Sequence, residues 1–193
     1  MKTEQLTIPQ APVRTALAMV EYKQIASGVK ALDAIVKTAT VDILAAQAIC
    51  PGKYMVLFCG QLGAVMASLE AARLTPGIID EFVLGNPHPD IFPALTDAIH
   101  LPQKSALGLV ETYSGAAAIK AADTAAKTAY IRLAQIRISQ GMCGKSTVIF
   151  TGDISATAAA LEAAQKEAAN KGMLVDTALI PNPDDKMLAA MMR

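Results

Sequence analysis

Two cysteine-bearing loops hold the residues of this chain best suited to chemistry. Cys50-Pro51-Gly52-Lys53 sets a thiol before a Pro-Gly pair and a lysine after it. The expected geometry is a type II turn, Pro second and Gly third, which pushes the preceding side chain toward solvent or a symmetry axis. Lys53 close by favours the thiolate form. One thiolate does not hold an iron–sulfur cluster, which takes about four. Three copies of the loop around a threefold axis would bring three. Gly141-Met142-Cys143-Gly144-Lys145 is the equivalent loop later in the chain, with Met142 in the place of Cys50 and Cys143 in that of Pro51. Cys143 reads as a loop residue, with a redox or metal role as the alternative, and Cys59 reads as core. Glu21 and Glu111 recur at equivalent strand ends, which favours structural hydrogen bonding over a catalytic pair. Asp33/Lys37 and Asp123/Lys127 stand four apart on helices. The plain reading is surface ion pairs worth a few tenths of a kcal/mol, and the alternative is an edge contact in an assembly. His88 and His100 read as surface turn residues. No dinucleotide fingerprint, phosphate loop, nucleophile elbow or His-Glu-x-x-His is present.

The elements that position these loops occur twice. With a shift of ninety, residues 16–39 match residues 106–129 at 11 of 24 positions, and with two more residues added, 52–72 match 144–164 at 11 of 21. The expected domains are an arm at 1–15, a first unit at 16–102 and a second at 103–193, with the boundary near Pro102-Gln103-Lys104. Apolar runs and 3.6-residue periodicity predict, in the first unit, strands at 16–21, 41–49, 54–59 and 79–84 and helices at 25–38 and 62–73. The second unit repeats the order: strands at 106–112, 131–139, 147–151 and 174–179, helices at 116–128 and 154–170. A short helix over 91–99 and a Met-containing tail complete the reading. The fold class is α/β, each half one sheet with helices packed on it, of ferredoxin-like size.

Composition narrows the function. Seventeen basic and seventeen acidic residues cancel with no basic run, so a nucleic-acid partner is not expected. No apolar stretch reaches the ~18 residues of a membrane span, and the first residues do not resemble a signal peptide. Three scattered cysteines fit a reducing compartment, so the expected location is cytoplasmic. Apolar residues make up 53% but aromatics only 4%, so alanine-rich helices approach closely and suit a thin, tiled body.

The segments Ala16–Glu21, Leu32–Ala39, Cys50–Lys53, Phe150–Asp153 and Leu179–Pro183, in this order, resemble the tandem-domain shell proteins of bacterial microcompartments over about residues 14–192. The resemblance implies a flat homotrimer that looks hexameric, tiles with other shell proteins, and is not an enzyme. It places Lys37 and Lys127 at tile edges. It places Pro51, Gly52, Lys53, Met142, Cys143 and Gly144 in the loops lining a central pore. Ile49-Cys50-Pro51-Gly52-Lys53 further resembles the loop of the iron–sulfur shell trimers of propanediol utilisation. That implies one [4Fe–4S] cluster per trimer, shared by three chains, with Cys50 as the metal-binding residue of each. Three thiolates hold three irons, and the fourth is left for water, a small ligand or another donor. Electron transfer across the shell, to a luminal or cytosolic redox enzyme, would follow. At the closing turn, where the family commonly has an arginine, the matching places are read as Pro87 and Asn182.

Two other readings stand beside this one. A shell trimer with an open metabolite pore and no cluster would use Cys50 only as channel lining. A small soluble enzyme or ligand sensor on a duplicated α/β unit would be monomeric and form no sheets.

Overall fold

The computed structural model describes residues 14–96, 105–139, 141–170 and 172–191. Its first unit runs β1 (Ala16–Tyr22), α1 (Ile25–Thr38), β2 (Asp42–Ile49), β3 (Lys53–Gly60), α2 (Leu62–Arg73), β4 (Ile78–Gly85) and a short α3 (Ile91–Thr96). The second repeats it as β5 (Ala106–Thr112), α4 (Gly115–Thr128), β6 (Ile131–Ile138), β7 (Ser146–Gly152), α5 (Ile154–Ala169), β8 (Leu174–Ile180) and α6 (Asp185–Met191). Each unit is one antiparallel sheet, in the orders β2-β3-β1-β4 and β6-β7-β5-β8. Most of the expected arm, the expected domain boundary and His100 lie outside the described residues.

All of β1 is buried, which explains why it reads as a continuous apolar run rather than an alternating one. Its two faces serve two different cores. Ala16, Ala18, Val20 and Tyr22 point toward α1 and α2, meeting Ala31, Ile35, Val65 and Leu69. Leu17 and Met19 point the other way and join Met55 and Leu57 with Ile119, Ala122, Leu133 and Ile136 of the second unit. One continuous core therefore crosses the seam between units. At the start of α4, Ser114 Oγ accepts a hydrogen bond from the Ala117 N–H at 3.1 Å, an N-cap that α1 lacks.

Packing between helix and sheet is matched separately in each copy. Gly28 of α1 lies so close to β3 that an added Cβ would stand 2.6 Å from the Tyr54 Cβ and 2.4 Å from its ring. The second unit has Ala118 and Ser146 at these places, exchanging a bulky partner for a small one. Gly28→Ala is expected to destabilise the protein by about 1–3 kcal/mol through overpacking, despite a helix-propensity gain of up to ~1 kcal/mol. In thermal melts that is a fall of a few degrees per kcal/mol. Adding Tyr54→Ser should restore the loss, because the pair then copies the second unit; no recovery would mean that the contact is not the cause.

The strand register also corrects one alignment. Glu21 faces Asp80 in the first unit and Glu111 faces Asp176 in the second. The closing turns therefore match Asn86 with Asn182, rather than Pro87 with Asn182. Strand pairing decides this, because a one-residue slip would turn every side chain to the opposite face.

Candidate functional site

The two cysteine loops meet. β2 and β3 are joined by Cys50-Pro51-Gly52, and β6 and β7 by residues 139–145. The Cys50 N–H donates to the Ser139 carbonyl at 3.4 Å, and Gly144 stands against the Cys50 carbonyl, where an added Cβ would be 3.7 Å away.

The first loop closes differently from the type II turn expected of it. The Gly52 N–H donates to the Ile49 carbonyl at 2.9 Å, and the Cys50–Pro51 peptide is cis. The turn is thus Ile49–Gly52, with Cys50 second and Pro51 third, which is the type VI arrangement. Gly52 follows at a φ of +84°, a conformation open to glycine. Cys50 is half-buried and Pro51 and Gly52 are exposed.

The second loop is tied internally. Lys145 N–H donates to the Met142 carbonyl at 3.0 Å, and Ser139 N–H to the Lys145 carbonyl at 3.2 Å. Ser139 Oγ bonds the Gly144 carbonyl at 3.1 Å. Gly141, Cys143 and Gly144 all take positive φ. Met142 and Gly144 are half-buried, while Cys143 is exposed. Ser139 is buried and links both loops. It was not among the residues singled out from sequence, where a serine before a Gly-rich loop is too common to mark.

A charged pair anchors the exit of each loop. Lys53 Nζ lies 3.1 Å from Glu21 Oε2, and Lys145 Nζ lies 2.7 Å from Glu111 Oε1. The two glutamates therefore have the structural hydrogen-bonding role expected of them. Burial, opposed by Lys53, raises the pKa of Glu21 above the usual carboxylate value. Lys53 is bound to that carboxylate, so it anchors the start of β3 to β1. Cys59 is fully buried in the shared core, and burial pushes its thiol pKa up.

Cys50 borders a shallow recess shared with Ala48, Ile49, Gly52, Ser139 and Gly141. Apart from Ile49, which belongs to the core, these side chains are short and leave room for a bulky inorganic group beside the half-exposed Cys50, so the residues present fit a cluster. Among the described residues no three His, Cys, Asp or Glu side chains converge for a metal ion. One chain thus brings the Cys50 sulfur to such a group but not a complete ligand set.

The Asp–Lys pairs, equivalent in sequence, differ in surroundings. Asp33–Lys37 is an exposed pair at 2.6 Å, with side chains 60% and 71% accessible. Asp123–Lys127 has the same 2.6 Å distance, but the Asp123 side chain is only 8% accessible. Asp123 Oδ1 accepts the His88 N–H at 2.7 Å, and Lys127 Nζ donates to the Asn86 carbonyl at 2.8 Å. The surface reading therefore holds for the first pair and fails for the second, which fastens the two units together. His88 is likewise half-buried in that junction rather than a free turn residue.

Comparison with known proteins places this geometry among its relatives. The BMC domain matches residues 16–87 and again residues 106–183. Bacterial microcompartment shell protein PduT of Citrobacter freundii is 35% identical over 174 residues, covering 89% of this chain and 95% of that protein. Carboxysome shell protein CsoS1 of Prochlorococcus marinus is 31% identical over 94 residues, which is 46% of this chain and 91% of that shorter protein. A crystal structure of a microcompartment protein from Desulfitobacterium hafniense superposes with a TM-score of 0.85 at 43% identity, covering 89% of this chain and 96% of that one.

Proposed function

The chain belongs to the BMC-domain family as a tandem-domain structural shell protein of bacterial microcompartments, and from that premise we propose that three copies close a ring around one [4Fe–4S] cluster held by Cys50. The observation that carries the ring is the junction inside the chain. There α4 of the second unit seats Asp123 and Lys127 on the Asn86–His88 turn of the first. Each free end of the chain bears the complementary half: exposed Asp33 and Lys37 on α1, and the exposed Asn182 with Asp184 after β8.

The apolar face of α1 supports the same reading. Val29 is 49% and Val36 48% exposed, whereas their counterparts Ile119 and Ala126 are 0% and 8% exposed beneath the first unit. A second copy set on α1 as the second unit sits on the first covers these valines. It places the Asp184 N–H on Asp33 and the Asn182 carbonyl on Lys37. A head-to-tail contact of this kind makes a ring when its rotation closes, and three two-unit chains give six near-equivalent wedges. At the rim, Lys37 and Lys127 then meet other shell proteins across tile edges.

The Cys50 loop is the site within that ring. Its resemblance to the iron–sulfur loop and the small-residue recess beside the thiol support the cluster. Cys50 Sγ is the ligand from each chain, Ser139 holds the two loops against each other, and Lys53 anchors the loop through Glu21. When bound, the cluster supplies a one-electron redox centre in the shell wall, open to exchange with a luminal or cytosolic redox enzyme. Pro51, Gly52, Met142, Cys143 and Gly144 line what remains of the pore. The domains are taken as 16–102 and 103–193.

Iron and acid-labile sulfide analysis, beside a mass measurement of anaerobically purified protein, tests this proposal. About four irons and four sulfides per trimer are expected. A trimer with neither would instead be an open metabolite pore. A monomer that binds a small molecule and forms no sheets would return the chain to the enzyme or sensor reading.

A further inference from the structure

The edge of the second unit differs in kind from that of the first. Tyr130, between α4 and β6, is 98% exposed, more than any other large apolar residue among those described. It borders an open recess of about 560 Å³, lined among others by apolar Ala126, Ala129 and Ile131 and by charged Asp90, Arg132 and Asp153. Arg132 and Asp153 stand at the paired ends of β6 and β7. Both are exposed, and neither joins an ion pair among the described residues. Asp153 is also the N-cap of α5, yet its carboxylate accepts no cap hydrogen bond, the bond an aspartate there ordinarily makes. The first unit has Thr40, Asp42 and Gln61 at the places of Tyr130, Arg132 and Asp153. Its Asp42 lies 3.5 Å from Arg14 Nε. Only the second copy therefore carries an aromatic knob beside one uncommitted charge of each sign.

We infer that this edge binds the same edge of a second copy of the chain, around a twofold axis. In such an isologous contact each group meets its complement twice. Arg132 of each copy faces Asp153 of the other, and each Tyr130 ring enters the other's recess. One free charge of each sign on the same face is what lets an edge pair with itself; an edge with a single sign repels its own copy. A guanidinium also matches a carboxylate through two parallel N–H donors. Tyrosine suits the recess because its ring buries apolar area on Ala126, Ala129 and Ile131, while its hydroxyl can donate to the Asp90 carboxylate. All of these residues lie in one chain, so the inference goes beyond the ring and the cluster and stands without either.

Sedimentation of the full-length protein over a range of concentrations tests it. The base species is three chains if the ring forms and one if it does not, so the ring is read separately. In either case that species is expected to associate further, and less so as salt is raised. Arg132→Asp alone and Asp153→Arg alone each set like charges across the axis, and each should weaken the association by at least about tenfold. Mixing the two variants should restore it, because every pair is then complementary again. Tyr130→Ala should weaken it by roughly tenfold or more without lowering the melting temperature, since the ring is exposed in the single chain. Should a charge reversal not fold, Tyr130→Ala carries the test. A mixture as weak as its parts, association unchanged in Tyr130→Ala, or loss confined to Asp42→Arg on the first-unit edge would overturn the inference. So would a base species that stays unassociated up to about 1 mM.

Discussion

Replacing Cys50 with alanine is expected to give a colourless trimer with no paramagnetic signal on reduction, where the parent protein is expected to be brown. Iron should fall from about four per trimer to below about one. The size of the effect follows from symmetry. A single substitution in the chain removes all three sulfurs at once, leaving no partial ligand set. Cys50 binds the neighbouring loop through its backbone, by way of the Ser139 carbonyl, and the residue is half-exposed. The trimer and its melting temperature should therefore survive. Cys143→Ala is the matched control, because that thiol is exposed in the neighbouring loop. It should keep colour, iron and signal. Colour that persists in Cys50→Ala and vanishes in Cys143→Ala would move the site to the second loop.

The second large effect is expected from reversing Lys37. Lys37→Glu sets a like charge beside Asp33 and removes the donor proposed to reach the Asn182 carbonyl of the next copy. A hydrogen bond to a charged group contributes about 1.5–3 kcal/mol, so each contact between chains should weaken by roughly tenfold to a hundredfold. Sedimentation should show the trimer giving way to single chains. The melting temperature of the single chain should scarcely move, because the exposed Asp33–Lys37 pair contributes only a few tenths of a kcal/mol.

A change at the second pair should do the opposite. Asp123→Ala leaves the His88 N–H without its acceptor and the Lys127 ammonium with only the Asn86 carbonyl and water, at a cost of about 1–3 kcal/mol. It should lower the melting temperature of the chain itself. If Lys37→Glu melts as low as Asp123→Ala, or leaves the mass of the assembly unchanged, the internal junction is not the template for the external one.

Much of the fold was legible before any coordinates. The helices at 25–38 and 62–73 and the strand at 106–112 stand where periodicity and Gly or Pro breaks put them. Glu21 and Glu111 were read correctly as structural because a carboxylate at the end of an apolar strand needs a partner. The turn at Cys50 was misread. Pro-Gly suits a type II turn opening at Cys50, but the chain closes from Ile49 with Pro51 third, and both arrangements accept the same residues. The β6 bulge, where Leu133 pairs with Phe150 and Gln135 with Ile149, was not legible either. A bulge is a relation between two strands, and nothing in Leu133-Ala134-Gln135 announces which residue the partner will skip.

By itself the sequence determined the duplication, the order of helices and strands, and the placing of one thiol at a loop tip. Those properties are local, set by side-chain periodicity and by the backbone preferences of Gly and Pro. Only the tertiary structure decided that the aspartate of one Asp–Lys pair is buried while its twin is bare, that Lys53 binds Glu21, and that Ser139 ties the two cysteine loops together. Burial and pairing depend on what stands opposite a residue, and two Asp–Lys pairs at equivalent places can be told apart only once the units are packed against each other.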